Sequence, residues 1–436
     1  MFDPELYVRR RAAFLDAMAA RFPNSIAWIP SAPAVPQGND VFRQDSDFFY
    51  LTGFDEPGSV LFFDSKEKKT TVFVRPKNVK KETWDGPRAG VDCAKELCGA
   101  QESFSITQLD AKLCDLVKNH KTLLVHLGFS RANDDRVIKT LHKLRAKKRK
   151  GIVAPSEVVD PAVLLHEMRL RKGPEDLTAM SKAIAITAEA HARAMASARP
   201  GTYEYEIEAL MLDTFRRNGS ERPAYGTIVA SGPNACVLHY RSNRRQMLAG
   251  DLLLIDAGCE YDYFASDVTR TFPLGGVFSR EQQILYELVL EAQIEAIAAV
   301  RVGTTLEKLQ KGAARTMVSG LLRLGLMEGD LDEVVKKQKF KPFYPHRIGH
   351  WLGMDVHDVG EYFIDGKPRP LEAGMVITVE PGLYIPLSNE TVAAQWRGLG
   401  VRIEDDVLVT ETGRDVLTKS IPKTVDELRY ACSGAS

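Results

Sequence analysis

The chain has 436 residues, so at about 150 residues per domain it holds two or three domains. Its 58 Lys and Arg balance 58 Asp and Glu, and 44% of its residues are hydrophobic with a mean hydropathy of −0.20. That balance excludes whole-chain attraction to nucleic acid or an anionic membrane, and no run approaches the ~18–20 uncharged apolar residues of a membrane helix.

The opening, Met1-Phe2-Asp3-Pro4-Glu5 with a basic cluster at Arg9 to Arg11, has no apolar h-region and predicts no secretory leader. From Ser25 to about Lys150, short apolar runs at Ile26–Ile29, Val60–Phe63, Thr71–Val74 and Thr122–Val125 predict strands. Helical patterns at Ile106–Asn119 and Asp134–Lys147 lie among them, and the alternation predicts an α/β domain. The run Lys147-Lys148-Arg149-Lys150 reads as a solvated helix end favoured by the macrodipole, because no aromatics interleave it as in a nucleic-acid site. The segment Ala154–Glu175, with Pro155 and Pro161, reads as a connection. At its end Lys172-Gly173-Pro174-Glu175 opens a helix that Pro200-Gly201 stops after Arg199. Further helices are predicted over Glu204–Arg217, Arg280–Val300 and Thr305–Leu324. Cys93, Cys98, Cys114, Cys236, Cys259 and Cys432 form no CxxC pair and read as reduced thiols of a cytoplasmic protein.

The acidic residues between these helices carry the chemistry. Leu252-Leu253-Leu254-Ile255 is an apolar strand run that ends in Asp256, and Asp267, Thr269 and Thr271 alternate on one strand face. A hairpin through Cys259–Ala265 brings Asp256 and Asp267 together. Downstream, Met375–Val379 runs into Glu380 before Pro381-Gly382 breaks the ladder, and Val401–Asp406 places Arg402 and Glu404 on one face. Buried carboxylates side by side repel, so something cationic must compensate them. Separate Arg or Lys salt bridges are one solution and a metal site is the other. His346 and His350 favour the metal, and Pro345 and Gly349 predict extended chain there rather than a helical zinc motif. Four acids and a histidine suit two divalent ions and a bound hydroxide, which predicts metal-assisted hydrolysis.

These segments resemble a known family. Asp256-Ala257-Gly258, Asp267-Val268-Thr269-Arg270-Thr271, His350-Trp351-Leu352-Gly353, Val379-Glu380-Pro381-Gly382 and Arg402-Ile403-Glu404-Asp405-Asp406 are similar to the five metal-ligand segments of the pita-bread metallopeptidases. Arg43–Phe54, His166-Glu167-Met168-Arg169 and His357-Asp358-Val359-Gly360 resemble the aminopeptidase P group within that family.

The resemblance implies an α/β creatinase-like N-terminal domain over 1–172 and an α+β pita-bread catalytic domain over 173–436. It implies two Mn²⁺ ions on Asp256, Asp267, His350, Glu380 and Glu404, with Asp267 and Glu404 bridging, and it implies Glu380 as the group that takes a proton from the bridging water. His239, His346 and His357 match the family's active-site histidines, with His357 polarising the peptide and His239 shaping a proline pocket. Arg402 and Tyr384 match further pocket residues, and Trp84 resembles a tryptophan that reaches a substrate across a subunit interface. Gln37 falls where the family has an acidic residue, with Asp40 a nearby substitute.

The implied reaction is hydrolysis of the bond between an N-terminal residue and a following proline, in a homodimer or homotetramer. The alternative is a prolidase acting on Xaa-Pro dipeptides alone. Metal-free relatives, creatinase or a binding scaffold, lack ligand residues, whereas all five are present here.

Overall fold

A computed structural model describes residues 4–34 and 41–433 of the chain. It divides into two compact units, Met1–Arg169 and Leu170–Ser436.

The first unit is built on six strands: β1 (Ser25–Pro30), β2 (Val60–Asp64), β3 (Lys69–Val74), β4 (Glu102–Ser105), β5 (Thr122–Val125) and β6 (Glu157–Val159). Their order across the sheet is β4-β3-β2-β1-β5-β6. The β1–β2 and β2–β3 pairs are antiparallel, and the β3–β4, β1–β5 and β5–β6 pairs are parallel. Around the sheet run α1 (Pro4–Arg21), α2 (Ser46–Thr52), α3 (Val79–Asp85), α4 (Gly90–Leu97), α5 (Leu109–Val117), α6 (Arg131–Ala146) and α7 (Ala162–Leu170).

Alternation in β1 sends Ile26 and Trp28 to one face, where they share a core with Leu113 of α5 and Val137 and Leu144 of α6. On the other face Phe14 of α1 packs edge-on against Phe63 at 5.0 Å. The four strand runs legible in the sequence are therefore β1, β2, β3 and β5. One reading is corrected: the segment 154–175 is not a bare connection but contains β6 and α7. Pro161 stands just ahead of α7, where a missing N–H costs nothing. The two N-terminal signature segments meet here, because Asp47 accepts a hydrogen bond from Arg169 Nη1 at 2.8 Å and lies 3.4 Å from His166 Nε2.

In the second unit two helix pairs, α8 (Pro174–Ser197) with α9 (Glu204–Arg217) and α10 (Arg280–Ala299) with α11 (Leu306–Arg323), pack against small antiparallel sheets. Short helices α12 (Leu331–Lys336) and α13 (Val425–Cys432) complete the layer. The strands, in chain order, are β7 (Arg222–Pro223), β8 (Ile228–Ser231), β9 (Leu252–Asp256), β10 (Cys259–Tyr261), β11 (Phe264–Ala265) and β12 (Thr269–Pro273). After a small hairpin, β13 (Phe363–Ile364) with β14 (Lys367–Pro368), come β15 (Val376–Val379), β16 (Gly382–Ile385), β17 (Leu399–Arg402), β18 (Asp405–Thr410) and β19 (Gly413–Val416).

The sheet β12-β9-β8, the sheet β15-β18-β19 and the pair β16-β17 carry the acidic motifs at their ends. The predicted hairpin forms, with Asp256 opposite Thr269 across β9 and β12. Gly258 is required there, since a Cβ would stand 1.8 Å from the Ser266 carbonyl oxygen. Residues 401–406, read as one strand, are instead two strands of different sheets that break at Ile403-Glu404. The break is how Arg402 pairs opposite Gly382 while Asp405 pairs opposite Val379.

Candidate metal centre and active site

Strand ends and the turns beside them deliver four carboxylates, and an extended segment delivers His350, to a common cavity of about 580 Å³. Asp256, Asp267, His350, Glu380 and Glu404 all line it, with His239, His346, His357 and Arg402. The apolar strands behind these ends bury most of their side chains in the core, and Ile228, Asp256 and Arg402 are the strand residues that reach the cavity. His350 sits in extended chain as the sequence predicts, held by its N–H on Thr378 Oγ1 at 3.0 Å and its carbonyl on the Thr378 N–H at 3.0 Å. Gly349 allows this approach to β15, because a Cβ would meet the Thr378 carbonyl oxygen at 1.9 Å.

One ligand atom each from Asp267, His350 and Glu404 lies within 4.8 Å of the others. His350 Nε2 is 3.4 Å from Asp267 Oδ2 and 3.7 Å from Glu380 Oε1. Asp256 Oδ1 is buried and has no hydrogen-bond partner among the described residues. Oxygen and imidazole donors crowded in this way are the set that hard and borderline divalent ions select, so the residues present fit a metal centre.

The electrostatics carry the same strain. Burial is the largest cause pushing the Asp256, Glu380 and Glu404 carboxyls above their usual range, and the negative charge of Asp267 adds to it in each. Burial lowers the His350 imidazole, but Asp267, Glu380 and the Trp351 carbonyl together outweigh this and raise it to about 9. His346 is pushed down to about 4 by burial and by the Arg402 charge. A bound dication relieves the carboxylate repulsion and favours the neutral imidazole.

Around the cluster a polar shell fixes geometry. Arg402 Nη2 donates to Asp256 Oδ2 at 2.6 Å, Nη1 to Tyr384 OH at 2.9 Å and Nε to Thr269 Oγ1 at 3.1 Å. Thr269 in turn donates to Glu404 Oε2 at 2.6 Å, and the Tyr384 hydroxyl is 2.8 Å from His346 Nε2. His350 and His357 rings meet edge-on at 4.5 Å.

Tyr384 is thus a support beneath the cavity through His346 and Arg402. Trp84 lies in the first unit on α3, 86% exposed. Gln37 and Asp40 lie outside the described residues. Three groups were missed from the sequence. Tyr225 lines the cavity half-buried, with its hydroxyl oxygen buried and pushed well above the usual range by burial and by Asp256 and Asp267. Thr378 and the buried Asp406, which accepts from the Asp267 N–H at 3.2 Å, are the others. Tyr225 in Pro223-Ala224-Tyr225-Gly226 gives no signal, whereas Asp406 was visible as the last acid of its motif. An adjoining cavity of about 430 Å³ shares His346, Arg347, Gly349 and Tyr362 with the site but holds none of the four acids.

Comparison with known proteins agrees with this geometry. Residues 178–411 match the model of metallopeptidase family M24, and residues 7–126 match the aminopeptidase P N-terminal domain. The chain is 42% identical to the Xaa-Pro aminopeptidase of Escherichia coli over 97% of this chain and 96% of that protein. It superposes on Pseudomonas aeruginosa aminopeptidase PepP with a TM-score of 0.95 at 46% identity, covering 100% of this chain and 99% of that one. Zinc-substituted E. coli aminopeptidase P in complex with product matches with a TM-score of 0.95 at 41% identity, over 100% and 99% of the two chains.

Proposed function

The chain belongs to metallopeptidase family M24, with a creatinase-like N-terminal domain and a pita-bread catalytic domain, and we infer that it works as an Xaa-Pro aminopeptidase. It hydrolyses the bond between an N-terminal residue and a following proline. The observation that carries this is the convergence of Asp256, Asp267, His350, Glu380 and Glu404 on one cavity rimmed by three further histidines. A strict prolidase is set aside, because the full-length relatives at this level of identity are Xaa-Pro aminopeptidases. Proline calls for a dedicated enzyme, since its tertiary amide offers no N–H and its ring fixes φ.

Those five residues would hold two divalent ions, and an oxygen-dominated donor set favours Mn²⁺. When bound, such ions polarise the scissile carbonyl and acidify water. The chain's own residues do the rest. Glu380, raised by burial and by neighbouring Asp267, takes the proton of the attacking water at its carboxylate. His357, exposed at the cavity beside His350, donates to the carbonyl oxygen as it gains charge. His239 and His346 flank the proline ring, and Tyr384 fixes His346 through its hydroxyl. Arg402 orients Asp256 and, through Thr269, Glu404.

Assembly as a homodimer or homotetramer is part of this reading, supported by the exposed Trp84 indole on α3. A cytoplasmic location is supported by six cysteines that are all free thiols. No helix of the described residues is long and apolar enough to cross a membrane. Purified protein assayed with added Mn²⁺ on an Xaa-Pro, Xaa-Pro-Xaa and longer series tests the function. Cleavage of the tripeptide and longer members is expected, and turnover of the dipeptide alone would replace this reading by prolidase.

A further inference from the structure

α9 opens at Glu204, whose side chain is fully buried. Its oxygens accept five hydrogen bonds, all from one stretch of chain between Ser231 and Arg245. Oε1 receives Ser231 N at 2.7 Å, Ser231 Oγ at 2.7 Å and Asn234 Nδ2 at 3.0 Å. Oε2 receives the Tyr240 hydroxyl at 2.7 Å and Arg245 N at 2.9 Å. The Glu204 N–H also donates to the Arg245 carbonyl at 3.1 Å, so one residue clamps both ends of the stretch.

Between the clamped ends, residues 237–245 have no helix or strand, and His239 stands exposed among them at the edge of the cavity. The next residue, Tyr240, is the clamp's middle contact. Its ring packs on the Ile228, Ala230, Ala235 and Leu254 cluster, and its hydroxyl also accepts from Arg244 N at 3.4 Å. An irregular loop with an exposed imidazole has no packing of its own to set the direction of that side chain. Fixing it falls to the carboxylate.

We propose that Glu204 is a positioning residue for the reaction, acting through Tyr240 and the loop to hold His239 at the substrate pocket. The proposal rests on the role given to His239 above. Its chemistry is specific to a carboxylate. All five groups donate, so both oxygens must accept, and an amide in this place turns a donor toward one side. Facing Oε2's partners, the amide nitrogen tolerates the Tyr240 hydroxyl but not the Arg245 N–H. The helix N-terminus favours the negative charge in the absence of any cationic side chain among the five donors.

The test compares Glu204→Gln, Tyr240→Phe, His239→Ala and His357→Ala in the full-length, Mn²⁺-loaded protein, singly and as doubles, on an Xaa-Pro-Xaa tripeptide. Glu204→Gln is expected to lower kcat/KM by about 10- to 100-fold with metal content per chain unchanged. Added to His239→Ala it should cause no further loss, while added to His357→Ala its effect should multiply. That contrast separates positioning from general loosening, which would multiply in both backgrounds and overturn the proposal. Wild-type rates for Glu204→Gln beside a slow His239→Ala would also overturn it, leaving the site reading intact. Wild-type rates for His239→Ala would sink the role of His239 and the proposal with it. Should Glu204→Gln fail to fold, Tyr240→Phe, which removes the hydroxyl's bonds to Glu204 and from Arg244 N but leaves the other four bonds to the carboxylate, carries the same comparison.

Discussion

Arg402 Nη2 lies 2.6 Å from Asp256 Oδ2 in the buried floor of the site, and the same guanidinium reaches Tyr384 and Thr269. One planar fork therefore sets an acid, a phenol and a hydroxyl at once, which a point-charge ammonium on a flexible stem does not reproduce. Arg402→Lys is expected to lower kcat by about 10- to 100-fold while the protein stays folded. Arg402→Met leaves Asp256 buried without its cation and should cost about 3–5 kcal/mol in metal-free protein, measured by urea unfolding. Equal stability of the two variants would count against the ion pair as the source of the effect.

Replacing Glu380 by Gln keeps size and the contact to Thr378 but removes the proton acceptor. Turnover should fall by at least about 10²–10⁴-fold, the range for loss of a general base, with an unchanged circular dichroism spectrum. Near-normal rates in that variant would end the assignment.

Metal removal should act on stability as well as activity, because the carboxylates of Asp256, Glu380 and Glu404 repel when nothing compensates them. Dialysis against a chelator is expected to abolish hydrolysis and lower the unfolding midpoint, and divalent ions should restore both. Each site held at a hundredfold excess over its Kd contributes about 2.7 kcal/mol. Metal analysis showing fewer than one ion per chain in active protein would contradict a dinuclear centre.

In the first unit Asp47 gives a pH prediction free of the metal question. Burial raises its carboxyl, but the Arg169 charge and the His166 contact outweigh that and hold it down to about 2. The folded value lies below the unfolded one, so the unfolded chain binds more protons between the two. The stabilisation, about 2 kcal/mol, is fully present above pH ~4 and lost as pH falls through ~2. Hydrogen exchange of β1 to β3 should show wild type losing protection over that window. Asp47→Asn should begin less protected at neutral pH and change little across the same range. Parallel acid profiles for the two proteins would refute the linkage.

Much of the fold was legible because its signals are local. Apolar runs of four residues gave β1, β2, β3 and β5, and Pro174 and Pro200 bracketed α8. α7 was hidden by Pro155 and Pro161, which mark a loop and a helix start equally well. The break between Arg402 and Glu404 was hidden too, since a chain that changes sheets leaves no trace in alternation.

By itself the sequence determined the inventory of the site: which carboxylates end apolar strands, which histidines stand in extended chain, and which family's motifs they resemble. Only the tertiary structure decided how that inventory is held. Arg402 reaches Asp256 across 146 positions of sequence, and Glu204 grips a loop that starts 27 positions after it. The first pair is set by strands of separate sheets meeting end to end, the second by a helix start meeting a loop. Hydrogen bonds and buried charge depend on distance and direction in space, and neither is written in the spacing along the chain.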